Sequence, residues 1–278
     1  MKRKLFCEIS PFTYKISVYK CRILRIINDL ISSDKFSYER KDEKLAYRIY
    51  SSNSLIRRKL GNVDAQLQEN KAQNLAIAAP KVTGIIIKPG EVFSFWKLVG
   101  NTTEKMGYKE GLTIAKGSPS KGIGGGLCQF TNLLNWMALH TSLTVYEYHH
   151  HDGFDLFPDY KRQIPFGTGT SIVYNYLDYR LKNNTDRTYQ IIVYVDGEYL
   201  KGEIRADIPE KIKYHIKSEN EFFSRENDAV YRNGEIYRIT VDPVSGGIIE
   251  KNLLKKNHAK VMYDTDGLDI KIVNIKDT

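Results

Sequence analysis

No stretch of this sequence approaches the roughly 20 apolar residues that cross a bilayer as a helix, so no membrane-spanning helix is expected within it. Cysteine is nearly absent: Cys7, Cys21 and Cys128 are an odd set, too few and too far apart for a disulfide framework, so reduced and partly buried thiols are expected. There is no Cys-x-x-Cys or zinc-knuckle spacing, and the basic residues are scattered rather than set in a nucleic-acid motif, so no nucleic-acid partner is expected. Phosphate-binding motifs fail too. A Walker loop needs Lys after its glycines, whereas Lys121 precedes them, and the dinucleotide fingerprint fails because the preceding strand is distant and the third glycine is misplaced. No cofactor is expected. Lys2, Arg3 and Lys4 open like a signal peptide, but Glu8, Lys15, Lys20, Arg22 and Arg25 interrupt the apolar residues behind them and no small-residue cleavage site follows. The cytoplasm is the expected address.

What is present is the composition of a folded protein, 41% hydrophobic and 27% charged over 278 residues, enough for a sizeable core. A net charge of +9 favours anionic partners without saying which. Residues 1–30 concentrate that charge, with Lys and Arg interleaved among Phe6, Phe12, Tyr14, Tyr19, Ile23, Leu24, Ile26 and Ile27. The pattern fits a solvated basic helix and a segment peripheral to an anionic membrane alike.

Three regions are expected: a basic helical arm over 1–60, a central domain over 61–206 and a β-rich extension over 207–278. From Asn62 to about Thr83, Leu67, Leu75, Ala78 and Val82 recur at helical spacing apart from one longer gap, with Pro80 marking a kink or a new first turn. Ile85–Ile87, Val92–Trp96 and Leu112–Ala115 read as strands, and Lys116–Gly126 as a loop. Strands are expected again at 143–148, 171–174, 177–182, 189–195, 198–206 and 211–216, with hairpin turns at Asp196-Gly197 and Asn233-Gly234. The fold class is α+β: a mainly antiparallel sheet packed with a central helix that carries a Gly-rich loop and a Cys at its N-terminus.

That helix begins at GIGGGLCQ. In LCQFTNLLNWMALHTS, Leu127, Phe130, Leu134 and Met137 form a buried stripe, and Cys128, Thr131, Asn132 and Asn135 form a polar one about a quarter turn away. A thiol at a helix N-terminus is drawn toward thiolate by the macrodipole, which makes Cys128 a candidate nucleophile. Gly124, Gly125 and Gly126 permit a tight turn and close approach of a ligand, the backbone amides there can receive an oxyanion, and Gln129 and Asn132 stand with them as binding candidates. Spacing alone equally allows a plain turn followed by a small helix-start residue. For a base, His149 and His151 share one face of an extended strand, with His150 on the other. Asp152, Asp155 or Asp159 can orient an imidazole. His-His-His-Asp also reads as a metal set, but one short run is weak support, and no metal is expected.

These residues resemble the VanW family, through IIIKPGEVFSFWKLVGNTT, GYKEGLTI, GIGGGLCQFTNLLNWMALHTSLTVYEYHHH and LDYRLKNNT, over about residues 62–206. The resemblance implies a role tied to glycopeptide resistance and peptidoglycan metabolism. It also implies, by analogy with larger wall-facing members, an L,D-transpeptidase-like or peptidase-like cysteine enzyme acting on peptidoglycan stem peptides or their precursors. A non-catalytic module that binds such a precursor or a partner enzyme is the alternative. Cys128 matches the family cysteine, and His149 and His151 its two histidines. Where the family commonly has Gly-Arg-Asp-Ala, this chain has Gly167-Thr168-Gly169-Thr170 and so lacks the acid.

Overall fold

In chain order, helix α1 (Pro11–Ile31) is followed by strands β1 (Lys35–Phe36) and β2 (Tyr47–Leu55), helix α2 (Ala65–Val82), strands β3 (Ile85–Ile87) and β4 (Glu91–Ser94), and the short helix α3 (Phe95–Val99). Next come the hairpin of β5 (Glu110–Ala115) and β6 (Ser118–Ile123) and helix α4 (Cys128–Ala138). Strands β7 (Thr144–Glu147), β8 (Phe154–Asp155), β9 (Arg180–Lys182), β10 (Tyr189–Asp196), β11 (Tyr199–Ala206), β12 (Lys213–Glu226), β13 (Ala229–Val241), β14 (Ile248–Val261) and β15 (Ile272–Asn274) follow. This computed structural model describes residues 5–58, 64–115, 118–150, 153–156, 158, 164–266 and 268–274. The architecture is α+β and mainly antiparallel, in sheets ordered β1-β4-β9-β7, β2-β11-β10-β3 and β15-β12-β13-β14-β8 beside the β5-β6 hairpin.

Helices α2 and α4 both lie on the β2-β11-β10-β3 sheet. Alternation along β11 turns Leu200, Gly202, Ile204 and Ala206 inward, and the absence of a side chain at Gly202 leaves room for Met137 of α4, whose Cε would meet a Cβ there at 2.6 Å. Leu75, Ala78 and Val82 of α2, Phe130, Leu133, Leu134 and Met137 of α4, and Ile191, Val193 and Ile204 of the sheet form the core. Phe95 of α3 meets Phe130 edge-on, with ring centroids 5.3 Å apart.

Four sequence expectations need correction. Residues 1–60 are not one helical arm: Tyr47–Leu55 is a strand paired to β11, a partner about 150 residues away that no local pattern contains. Lys116–Gly126 is not all loop, because Ser118–Ile123 pairs with β5 despite Pro119 and Gly122. Ser171–Tyr174 is not a strand, and only an isolated bridge joins Val173 to Leu177. Asn233-Gly234 is not a turn: β13 runs straight through it, and the chain reverses at Asn227-Asp228, whose φ of 43° and 59° suit a tight hairpin turn between Glu226 and Ala229.

A buried charge cluster joins α1 to the body. Arg180 donates to Asp178 at 2.9 Å and to both oxygens of Asp29 at 2.8 and 3.0 Å, with Glu147 3.5 Å away. Asp178 also accepts from Ser94 Oγ at 2.5 Å and from the Trp96 amide at 3.0 Å. Burial works against the Arg180 charge, but its two aspartates outweigh that and raise its pKa; at Asp29 burial is likewise overcome by Arg180 and Lys97, and the carboxyl is held below its usual range. Arg180→Met is expected to cost about 3–5 kcal/mol by leaving Asp178 and Asp29 without their shared cation, and to release α1. Chemical denaturation, together with faster amide exchange across 11–31, is the check.

Candidate functional site at the start of helix α4

The glycines before α4 are packed against the protein itself. Gly125 meets the backbone of Gly111 in β5 so closely that a Cβ would fall 2.2 Å from the Gly111 carbonyl. Asn74 of α2, wholly buried, locks this contact: its amide donates to Gly125 O at 2.9 Å and Lys109 O at 3.0 Å, and its oxygen accepts from Lys109 N at 2.8 Å. Gly126, at φ 90°, is covered by the stem of Lys71, whose Cγ would lie 2.3 Å from a Cβ. The groups that use the missing side chains are therefore Gly111 and Lys71, where the sequence suggested an approaching ligand.

Two residues later Cys128 opens α4 at the floor of a cleft of about 1700 Å³, lined also by Lys71, Gly126, Gln129, Asn132, His150 and Asp155. Cys128 is half-buried as a residue. Burial pushes its thiol up, over the opposing influence of the Ile172 amide and its own amide, so the resting group is the thiol. This corrects the expectation that the helix start would favour thiolate: losing water outweighs the N–H groups aimed at the sulfur.

The polar stripe of α4 holds the 168–170 segment. Thr131 Oγ1 lies 2.6 Å from Thr170 Oγ1, Asn132 Oδ1 accepts from the Thr170 amide at 2.6 Å and from its hydroxyl at 2.9 Å, and Asn135 donates to Thr168 O at 2.8 Å. The segment in which the family commonly carries an acid is here a hydroxyl and backbone clamp. Gln129 is spent on β2, its amide donating to Ser54 Oγ and Leu55 O, each at 2.8 Å, so it does not serve as an oxyanion donor. Asn132 lines the cleft, and its amide nitrogen has no hydrogen bond among the described residues.

The histidines are arranged otherwise than a continued strand would place them. His149 turns to Glu147, Nε2 to Oε1 2.9 Å, and its carbonyl accepts from the Ser171 amide at 2.6 Å. Glu147 is held low, burial being offset by Arg25 and His149, and Arg25 grips it at 2.6 and 2.5 Å. It is His150, set edge-on to Tyr148, that lines the cleft and also a smaller cavity of about 290 Å³. The reason is local: β7 ends at Glu147, and its pairing with β9 slips between Val145 and Glu147, so strand alternation does not carry into 149–151. His151, Asp152 and Asp159 lie outside the described residues. Asp155 is buried, accepts from the Tyr263 hydroxyl at 2.9 Å and faces Arg232 at 3.6 Å.

Lys71 is the residue the sequence reading missed. It is only 6% exposed, lines the cleft, and has no hydrogen-bond or ion-pair partner among the described residues. Burial, then repulsion from Arg58 and Arg57, lowers its pKa to about 7. The signal was the gap in the α2 stripe, since Lys71 stands midway between Leu67 and Leu75, four residues from each.

The result is a mainly antiparallel α+β protein with a cleft lined both by a neutral thiol and by a buried amine that has no counter-charge among the described residues. A family model described as "VanW like protein" matches residues 70–205. Vancomycin B-type resistance protein VanW of Enterococcus faecalis is 35% identical over 234 residues, covering 84% of this chain and 85% of that protein. The chain belongs to the VanW family. The uncharacterized protein YoaR of Bacillus subtilis is 27% identical over 118 residues, 41% of this chain and 36% of that protein. No solved structure matches the chain.

Two variants test the site's construction. Gly125→Ala forces a Cβ into the Gly111 backbone, which no rotamer can relieve, and is expected to cost about 3 kcal/mol, the upper end for overpacking, read from the denaturant midpoint. Lys71→Met is expected to stabilise the protein. In the folded state the amine titrates near 7 instead of 10.5, so the unfolded chain binds the extra proton between those values. Stability of the parent thus rises with pH from about 7 to 10.5, and below 7 the penalty is complete. The variant's advantage should be roughly 2–5 kcal/mol at pH 6–7 and close toward pH 10, measured by denaturation across that range.

Proposed function

We propose that this chain serves glycopeptide resistance, the role recorded in the name of its Enterococcus faecalis relative, by transferring an acyl group of a peptidoglycan stem peptide or precursor through Cys128. The observation that carries this reading is the shared cleft: Cys128 opens onto it from the start of α4, and the amine of Lys71, which has no partner among the described residues and whose stem is laid over Gly126, lines it too. Lys71, rather than His149, is then the proton acceptor. The neutral amine takes the thiol proton, the thiolate attacks a peptide carbonyl, and the tetrahedral intermediate collapses to a thioester. The expelled amine leaves with the proton from the Lys71 ammonium, and an acceptor amine or water then resolves the thioester. With the thiol raised and the amine near 7, both groups are mostly neutral once the pH passes about 7, and the proton moves from sulfur to nitrogen as the thiolate attacks. Arg58, Lys255 and Lys256 also line the cleft and suit a carboxylate- or phosphate-bearing precursor.

The second reading is a non-catalytic module that binds the same precursor or a partner enzyme. It is favoured by the raised thiol and by the commitment of the Gln129 amide to Ser54 and Leu55. Incubation with a stem pentapeptide followed by intact-mass analysis separates the two. Transfer predicts an acyl adduct that disappears in Cys128→Ala and forms about 10²–10⁴ times more slowly in Lys71→Met. The adduct rate of the parent should climb as pH rises through about 7, where Lys71 loses its proton. Peptide binding that survives Cys128→Ser, without any adduct in the parent, decides for the binding module.

A further inference from the structure

Helix α1 is docked the opposite way round from an ordinary amphipathic helix. It faces the body with its charged and polar side chains: Arg22 donates to Tyr174 O at 3.2 Å, Arg25 to Glu147 and to Tyr176 O, and Asp29 pairs with Arg180 and with Lys97 at 2.9 Å. None of its residues is fully buried. The opposite face carries Phe12, Ile16, Tyr19, Ile23, Ile27 and Leu30, at steps of four, three, four, four and three, which is one straight stripe along 21 residues, about 31 Å of helix. Phe12 is 71% exposed, Tyr19 63% and Leu30 79%, and Leu5, Phe6 and Ile9 extend the exposed apolar surface ahead of the helix.

No helix among the described residues is long and apolar enough to cross a membrane. The charges on α1 show what the stripe suits instead. Between Glu8 and Asp29 the sequence has no acid, and Asp29 is turned inward. Lys15 and Lys20 are exposed and border the stripe on its two sides, where their stems can lie along an apolar layer while the amines reach outward. Lys2, Arg3 and Lys4 precede the helix in the sequence, and the chain as a whole carries +9.

We propose that α1 is a surface anchor that lies flat on an anionic lipid bilayer, with the Phe12–Leu30 stripe in the acyl boundary and Lys15 and Lys20 among acidic headgroups. The Arg25–Glu147 and Asp29–Arg180 pairs hold the body against the other side of the helix, so the bound protein sits on the membrane in a single orientation. The occupant is a lipid surface rather than a second copy of the chain, because the stripe is straight and edged by like positive charge on both sides. Two such faces meeting would bring lysines against lysines, whereas acidic headgroups neutralise them.

Co-sedimentation of the full chain with phosphatidylcholine vesicles, with and without phosphatidylglycerol, tests this at low and high salt. The parent is expected to pellet with the phosphatidylglycerol vesicles, more weakly with pure phosphatidylcholine, and less as salt rises. Ile23→Ser combined with Ile27→Ser removes two outward residues and should weaken vesicle binding at least about tenfold, with an unchanged circular dichroism spectrum and unchanged thermal unfolding. The proposal is overturned if the parent does not pellet with anionic vesicles, or if the double variant binds as well as the parent. It is equally overturned if the parent is a dimer that the double variant converts to monomers while neither binds vesicles, since the stripe then belongs to a second copy.

Discussion

Two peptide planes that approach with no side chain between them set the position of everything in the cleft. Gly111 on β5 and Gly125 in the turn before α4 are in backbone contact, and Asn74 binds the turn to α2 from behind. Because the turn is held from two sides, α4 can start only where it does, with Cys128 at the floor of the cleft. Its buried stripe is then aimed at the β2-β11-β10-β3 sheet and its polar stripe at 168–170. Any Cβ at this contact would push the helix start away from β5, and the cysteine with it.

The protein handles two buried cations in opposite ways. Arg180 is surrounded by Asp178, Asp29 and Glu147, so its charge is fully compensated and joins three parts of the chain. Lys71 is almost as deeply buried and is given no acid among the described residues, so burial and the neighbouring Arg58 and Arg57 loosen its proton to near neutrality. A buried charge matched with counter-charge keeps its proton, whereas a buried amine left beside like charge gives its proton up more readily. The first cluster also frees the apolar face of α1, since a helix anchored by Arg22, Arg25 and Asp29 has no need to bury Phe12 or Leu30.

Much of the cleft was legible because its signals are local. Helix α4, its two stripes and the position of Cys128 follow from helical spacing over 16 residues, and Asp196-Gly197 marks its hairpin without help from the rest of the chain. The gap in the α2 stripe was visible too, but period alone cannot show that the residue filling it is a buried lysine rather than a solvated one. Asn233-Gly234 misled because its composition is that of a turn, while the pairing of β12 with β13 across Asn227-Asp228 carries the strand through it. The histidines misled because alternation was extended past Glu147, where the strand has already ended.

Short-range spacing was thus sufficient for helices α2 and α4, the β10-β11 hairpin, the glycine-cysteine junction and the amphipathic character of the N-terminal helix, since each depends on residues within a few turns or one hairpin. Tertiary packing decided the rest: which histidine enters the cleft, that the thiol stays protonated, that Gln129 is consumed by β2, that Lys71 joins the site and that α1 turns its apolar side outward. Those outcomes depend on desolvation and on partners tens to more than a hundred residues away. A one-dimensional pattern carries neither the distance to such a partner nor the water lost in reaching it.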